Sequence, residues 1–140
     1  MALPDVLKPS PYTVLSTGIT NQQIASGSSY TGSEIDNTSN RYALCVVELI
    51  WSYATAPMAN KTLEVHRLRC HDGTNYEELS NRTLIAAVSP TADTSSHQHT
   101  LLEELPLLAA KYKFAIKNVD TGQTVTVALK AYAYYYRLED

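Results

Sequence analysis

Residues 42–53 form a long, mainly apolar stretch, Tyr-Ala-Leu-Cys-Val-Val-Glu-Leu-Ile-Trp-Ser-Tyr. Apolar side chains occupy both alternating sets of positions, and neither Gly nor Pro interrupts the run. β-branched and aromatic residues dominate, and no clear 3.6-residue stripe supports a helix. The pattern is typical of a strand buried on both faces, or on one face in the fold and on the other in an assembly. We therefore expect this strand to be the centre of the fold.

Two later segments alternate between apolar and polar positions. In Lys111–Asn118 we expect Tyr112, Phe114 and Ile116 to point inward, with the intervening lysines in solvent. The last predicted strand covers residues 123–137, and its core parity is apolar: Val125, Val127, Leu129, Ala131 and Ala133. The turn residues between these two strands, 119–122, predict a hairpin.

The strand expected after the central one changes phase. Leu63 and Val65 share one parity, whereas Leu68 and Cys70 share the other. A strand cannot bury both sets on one regular face, because side chains alternate with a period of two. The sequence therefore predicts a bulge, or a crossing between environments, near His66–Arg67.

Shorter strands complete the predicted fold. They are expected at 12–19, within 20–32, at 83–89 and at 97–102. Residues 103–110 are ambiguous between one helical turn and extended chain, although Pro106 favours the extended form. The total is about eight strands with turn-rich connections, which predicts an all-β, single-domain antiparallel β-sandwich or jelly roll.

The N-terminal segment differs from the rest of the chain. Residues 1–11 carry prolines at positions 4, 9 and 11, and proline fixes φ and lacks a ladder donor. This predicts an extended arm or edge segment that a neighbouring subunit holds; a frayed terminus is the other interpretation. We therefore divide the chain into an arm, 1–11, and a β-sandwich domain, 12–140.

Charge and composition narrow the range of partners and compartments. The 11 Lys and Arg residues against 14 Asp and Glu give a net charge of −3, and the basic residues are scattered, so we expect no nucleic-acid partner. No apolar run approaches the roughly 18 residues of a membrane helix, and the start lacks a signal-peptide pattern. We expect no membrane partner and folding in a cytoplasm, where Cys45 and Cys70 would be buried free thiols.

A pair of histidines is the best metal candidate in the sequence. His97 and His99 lie two apart, on the same side of a strand, a geometry that can bind zinc. A third ligand would have to come from elsewhere, such as His66 or His71. The competing interpretation is two polar residues on a half-buried strand, which we favour, so we expect no metal site and no cofactor.

No catalytic constellation is evident. Cys70, His71 and Asp72 are adjacent, but consecutive strand residues point to opposite faces and cannot align as nucleophile, base and orienting group. The acidic pairs in the loops show no opposed arrangement across a cleft. Phosphate loops, nucleophile elbows and metalloprotease motifs are missing from the sequence. We expect a protein that is not an enzyme and has no catalytic residues.

Tyrosines supply the most informative surface signal. The chain has 10 Tyr and one Phe, and Tyr132, Tyr134 and Tyr136 occupy the parity opposite the small core residues of the last strand. Tyrosine is favoured where a surface is buried against a partner. An outward row predicts a subunit interface or a carbohydrate-stacking platform; capping of the sandwich rim within one chain is the remaining interpretation.

Several segments, in order, resemble a known group of proteins. Gly-Ser-Glu-Ile-Asp-Asn at 32–37 leads into the central strand, which is followed by Ala-Pro-Met-Ala-Asn-Lys-Thr at 56–62. Asp-Gly-Thr-Asn-Tyr at 72–76, Leu-Pro-Leu at 105–107 and Lys-Tyr-Lys-Phe-Ala-Ile-Lys-Asn at 111–118 come later. This order resembles small virion structural proteins of tailed bacteriophages, from about residue 24 to residue 130.

The resemblance implies a non-enzymatic β-sandwich, most like a capsid decoration (cement) protein. Such a protein would bind the outer surface of a phage head, with the major capsid protein as its partner, and would self-associate, with a trimer favoured. Its location would be the virion surface after assembly in the host cytoplasm. The alternative is a tail, fibre or head-surface module that recognises host glycans. The predicted interface residues are Tyr132, Tyr134, Tyr136, Trp51, Leu3, Val6 and Leu7.

Overall fold

The computed structural model describes residues 6–40 and 42–139, and every regular element in them is a strand. The strands are β1 (Val6–Pro9), β2 (Thr13–Leu15), β3 (Gln22–Ile24), β4 (Ser29–Thr31), β5 (Ile35–Asp36), β6 (Leu44–Tyr53), β7 (Leu63–Cys70), β8 (Leu84–Val88), β9 (His97–Pro106), β10 (Lys111–Asn118), β11 (Val125–Tyr134) and β12 (Tyr136–Glu139).

Two antiparallel sheets pack face to face. In the first, the β6 sheet, β2 and β3 pair along one edge of β11, and the order continues through β6 to β9. In the second, the β7 sheet, β4 and β5 pair along one edge of β10, and the order continues through β7 to β8. The strands β1 and β12 form a separate two-stranded ribbon.

The strand order is that of a jelly roll. Because β2 with β3, and β4 with β5, each fill one position, the sandwich has eight positions. Numbered along the chain, they run 1-8-3-6 in the β6 sheet and 2-7-4-5 in the β7 sheet. This is two Greek keys shared between two sheets. The predicted all-β sandwich is confirmed.

The central strand behaves as its pattern indicates. On β6 the odd-numbered residues from Cys45 to Tyr53 are buried in the core, and the even-numbered ones from Leu44 to Ser52 are half-buried on the outer face. Val47 and Leu49 are fully covered by the β7 sheet, whose Phe114 is also fully buried. The predicted inward parities of β10 and β11 are likewise confirmed.

The predicted irregularity near His66 lies in the pairing of β7 with β8. The β7–β10 ladder is continuous, so β7 keeps its alternation, whereas the β7–β8 ladder shifts register between Val65 and His66, where Ile85 of β8 is the extra residue. Beyond this point Leu68 and Cys70 lie on the outer parity and are nevertheless buried. The connection after β7 folds back towards them, since the Glu77 amide donates to the Arg69 carbonyl at 3.0 Å.

The chain departs from the sequence predictions at two connections, and a third segment resolves an ambiguity. Residues 119–122 are not a hairpin turn, because β10 and β11 belong to different sheets. The ambiguous segment after residue 102 takes the extended form that Pro106 favours, continuing β9 as far as Pro106. The last predicted strand is interrupted at Tyr135, after which β12 pairs with β1.

The ribbon is anchored where it leaves the sandwich. The Ser10 amide donates to the Tyr135 carbonyl at 2.6 Å, and the Tyr135 amide donates to Ser10 Oγ at 3.0 Å. Ser10 is buried although it is polar. The segment predicted as an arm therefore pairs, from Val6 to Pro9, with the C-terminal strand of its own chain.

Candidate interaction surface on the outer face of the β6 sheet

Side chains alternate in direction along β6 and β11, and those that point away from the core form the outer face of the β6 sheet. The backbone register places Tyr132 opposite Val46 and Tyr134 opposite Leu44. Ala131 and Ala133, on the other parity, are fully buried in the core. The tyrosines at 132 and 134 therefore face away from the core, as their spacing predicts.

Neighbouring rings cover Tyr134 even though it faces outward. Its ring centroid lies 5.2 Å from that of Tyr12 and 5.8 Å from that of Tyr136, both in edge-to-face geometry. Only 4% of Tyr134 is exposed, compared with 59% of Tyr12 and 43% of Tyr136. Desolvation, with smaller contributions from Tyr136 and Glu104, raises the pKa of Tyr134 to about 12. We call Tyr12, Tyr132, Tyr134 and Tyr136 the tyrosine face.

Two adjoining hollows lie along the tyrosine face. The larger, of about 330 Å³, is bounded by Pro9, Tyr12, Val46, Thr100, Glu103, Glu104, Tyr134 and Tyr136. The smaller, of about 270 Å³, shares Tyr12 and Val46 with it and adds Glu48 and Tyr132. Together they form one groove with aromatic walls that runs towards the start of the ribbon.

Carboxylates are the charged groups of this groove. Glu103 and Glu104 come from β9, where two register shifts against β6 alter the course of the strand. The Tyr136 hydroxyl donates to Glu104 Oε1 at 3.4 Å, and Glu48 Oε2 accepts from Gln98 Nε2 at 2.6 Å. Among the described residues that line the two hollows, none is Lys or Arg.

The structure corrects one predicted interface residue. Trp51 is 1% exposed and points into the core, where its indole stacks against His97 and His99 with centroid distances of 5.5 and 4.9 Å. Its parity is opposite to that of the tyrosine face, so its side chain offers no surface to a partner. The backbones of Val6 and Leu7 lie in β1, and Leu3 lies outside the described residues.

The histidines have structural partners. His97 Nε2 lies 2.8 Å from Asp93 Oδ1, and this bond is the main reason that the pKa of Asp93 is lowered. His66 is buried, with Nδ1 2.9 Å from Thr83 Oγ1 and Nε2 3.3 Å from Glu64 Oε2. Within residues 6–40 and 42–139, no three His, Cys, Asp or Glu side chains cluster as metal ligands.

The adjacent Cys70, His71 and Asp72 end a strand and begin a turn. Asp72 Oδ1 accepts from the amides of Thr74 and Asn75 at 2.8 and 2.7 Å, and these bonds hold the pKa of Asp72 well below its usual value. Cys70 is buried and His71 is exposed. The carboxylate thus stabilises the turn.

The other thiol is deep in the sandwich. Cys45 is fully buried, and desolvation raises its pKa to about 12, an effect that the nearby Arg67 charge only partly offsets. The Arg67 guanidinium donates to the Pro106 carbonyl, and burial lowers the pKa of Arg67. Cys45 is therefore a protonated core residue. Both cysteines are buried free thiols, as predicted.

In comparisons with known proteins, neither a family model nor a curated protein sequence matches the chain. Across residues 6–40 and 42–139, no helix has the length and apolar character needed to span a membrane.

Sequence reasoning missed most of the residues that line the groove. Tyr12, Val46, Glu103 and Glu104 were not singled out, because they reach the tyrosines only through pairing between distant strands. The outward parity of Val46 was visible in the sequence. The position of the two glutamates depends on the irregular register of β9, for which the sequence carries no local signal.

Proposed function

We propose that the chain is a non-enzymatic virion structural protein, a decoration protein that binds the outer surface of a phage head and stabilises it. The observation that carries the proposal is the tyrosine face, which combines with the half-buried Leu44, Val46 and Ile50 on one side of a rigid sandwich. Tyrosine-rich, partly apolar surfaces of this kind suit the centre of a protein interface.

The ribbon is a second docking element. In the described residues its two strands pair with each other in the backbone ladder, and Pro9 and Tyr136 also line the larger hollow. The ribbon therefore extends the tyrosine face and adds to the area that a partner would cover. A ribbon and a face on the same side of the molecule allow contact with two neighbours at once.

Self-association through the tyrosine face would give a closed, symmetric oligomer, with a trimer favoured. An interface of about 800 Å² per partner is sufficient for specific association. Binding to the folded shell then stabilises the particle by mass action, because the decoration protein has affinity for the assembled form.

The experiment that tests the proposal is a count of copies in purified particles of the virus that encodes the chain. Quantitative mass spectrometry against the major capsid protein is expected to find hundreds of copies at a fixed ratio. A few tens of copies or fewer would contradict a shell-wide role and indicate a vertex or tail component. Absence from the particles would overturn the virion assignment.

The groove favours a second candidate, a module that binds host glycans. Aromatic rings beside carboxylates, such as Tyr136 beside Glu104, are suited to stacking on a sugar and accepting bonds from its hydroxyls. Glycan-array binding that is lost in Tyr134→Ala and in the more exposed Tyr136→Ala would support this function. An array without signal for the parent chain would remove it.

A further inference from the structure

The larger hollow combines an aromatic lining with carboxylates. It has a defined volume of about 330 Å³, walls made by three tyrosine rings, and two carboxylates, Glu103 and Glu104, on the β9 side. We propose that this hollow receives a cationic side chain, an arginine, presented by an extended segment of a partner protein. The choice of a protein as the partner rests on the proposed function, whereas the charge of the ligand follows from the groove.

The tyrosine rings of the hollow pack against each other at nearly right angles. Tyr134 meets Tyr12 at an interplanar angle of 84° and Tyr136 at 79°. Tyr134 is covered, so Tyr12 and Tyr136 offer the accessible ring surface. The negative faces of aromatic rings attract cations that lie within about 6 Å of the ring centre. A guanidinium can also stack flat on a ring, which an ammonium cannot.

The charge of the groove is negative. Glu103 and Glu104 line the larger hollow and Glu48 lines the smaller one. In the backbone register Lys130 lies opposite Glu48, and Lys8 lies opposite Arg137 in the ribbon. Neither lysine is among the residues that line the hollows. The raised pKa of Tyr134, to which Glu104 contributes, is consistent with a negative site.

The charge of the hollow favours an arginine side chain over a sugar. Two carboxylates with no basic neighbour in the lining would remain unneutralised beside a neutral sugar, whereas a guanidinium can bind a carboxylate in a bidentate manner. An arginine side chain can stack on the tyrosine rings and also pair with the carboxylates.

The test is an NMR titration of the isolated full chain with N-acetyl-arginine amide. Resonances of Tyr12, Val46 and Tyr136 are expected to shift together. N-acetyl-citrulline amide, which has the same shape without the charge, is expected to bind at least about tenfold more weakly, a difference of about 1.4 kcal/mol. Equal affinity for the two probes would overturn the proposal.

Glutamate-to-glutamine variants test whether arginine binds in the groove. Glu103→Gln with Glu104→Gln preserves side-chain size and is expected to reduce arginine affinity at least fivefold. Glu78→Gln, in an exposed loop, is the control and is expected to leave the affinity unchanged. The one-dimensional spectrum of each variant checks that it is folded. Loss of affinity in the Glu78→Gln chain as well would mean diffuse charge attraction and would contradict a site.

The outcome is separable from that of the proposed function, because the titration uses no particle. Failure to bind arginine in a chain that is present at hundreds of copies would overturn the inference and leave the decoration role intact. Arginine binding by a chain that is absent from particles would support the arginine site and overturn the decoration role. A neutral monosaccharide that shifts the same resonances more strongly than arginine does would overturn the inference in favour of a glycan site.

Discussion

The ring of Tyr12 meets the ring of Tyr134 edge to face, with centroids 5.2 Å apart, and so a residue before β2 covers one at the end of β11. Tyr12→Ala would remove this cover. We expect a loss of about 0.5–1.5 kcal/mol in the free energy of unfolding, together with a fall in the pKa of Tyr134 from about 12 towards its ordinary value. Denaturant titration and site-specific ¹³C NMR of Tyr134 measure the two effects.

Tyr12→Phe is the matched control, because it retains the ring and removes only the hydroxyl. We expect the Phe variant to keep the raised pKa of Tyr134. If the Ala variant also kept it, the aromatic contact would not be what desolvates Tyr134.

A buried polar network closes the connection between β10 and β11. Asn118 Nδ2 donates to the carbonyls of Ile24 and Gln123 at 3.0 and 2.8 Å, and its Oδ1 accepts from Thr121 Oγ1 at 2.6 Å. Thr121→Val keeps the shape but leaves the Asn118 oxygen unpaired. We expect a loss of about 1–3 kcal/mol in unfolding free energy, measured by urea denaturation. The exposed Thr124→Val should change it by less than about 0.5 kcal/mol.

A glycine in the connection between β2 and β3 packs tightly against Ser33, which lies between β4 and β5. Gly18 has φ of +72°, and a Cβ there would lie 2.2 Å from Ser33 Oγ and 2.6 Å from the Ser33 amide nitrogen. Gly18→Ala is expected to cost about 1–2 kcal/mol for the positive φ and about 1–3 kcal/mol more for the overlap. Gly27 has a similar φ of +83°, and an added Cβ there would meet no atom within 4 Å, so Gly27→Ala should cost only the about 1–2 kcal/mol of the dihedral. If thermal denaturation showed equal losses of stability for the two variants, the positive φ alone would set the cost and the contact with Ser33 would contribute nothing.

The buried thiol predicts a sensitivity to alkali. Cys45 has a pKa raised from 9.0 to about 12, so above pH 9 the unfolded chain releases this proton before the folded chain does. The unfolding free energy should therefore fall between pH 9 and 12, with a slope that this thiol increases by up to about 1.4 kcal/mol per pH unit. Urea titrations at several pH values should show a smaller slope for Cys45→Ala. Val47→Ala, which removes core volume without an ionisable group, should keep the parent's slope.

The parts of the fold that sequence reasoning predicted are those with a local period. The alternation along residues 111–118 correctly placed Phe114 in the core, and the alternation of the last strand placed Leu129 there. The outward direction of Tyr132 followed from the same parity. Each of these depends only on the positions of near neighbours in the chain.

The misassigned features depend on distant pairing. The turn at 119–122 indicates that the chain reverses, but only the arrangement of all eight positions shows that it crosses between sheets. Trp51 was assigned to an interface because both parities of its strand are apolar, and the choice between them is made by which face the other sheet covers. The glutamates of the groove were missed for the same reason.

Deletion of β1 tests whether the ribbon contributes to particle binding without contributing to the stability of the sandwich. A two-stranded unit is marginally stable by itself in water, and the hydrogen bonds at Ser10, Tyr135 and Tyr136 that join this ribbon to the sandwich lie outside residues 1–9. Deletion of residues 1–9 is therefore expected to change the unfolding free energy of the sandwich by less than about 1 kcal/mol. Affinity for particles should fall at least about tenfold, measured as occupancy against protein concentration. A chain that lacks only residues 1–5 keeps β1 and is the control. Full occupancy after the longer deletion would remove the ribbon from the binding surface and leave the tyrosine face as the docking element.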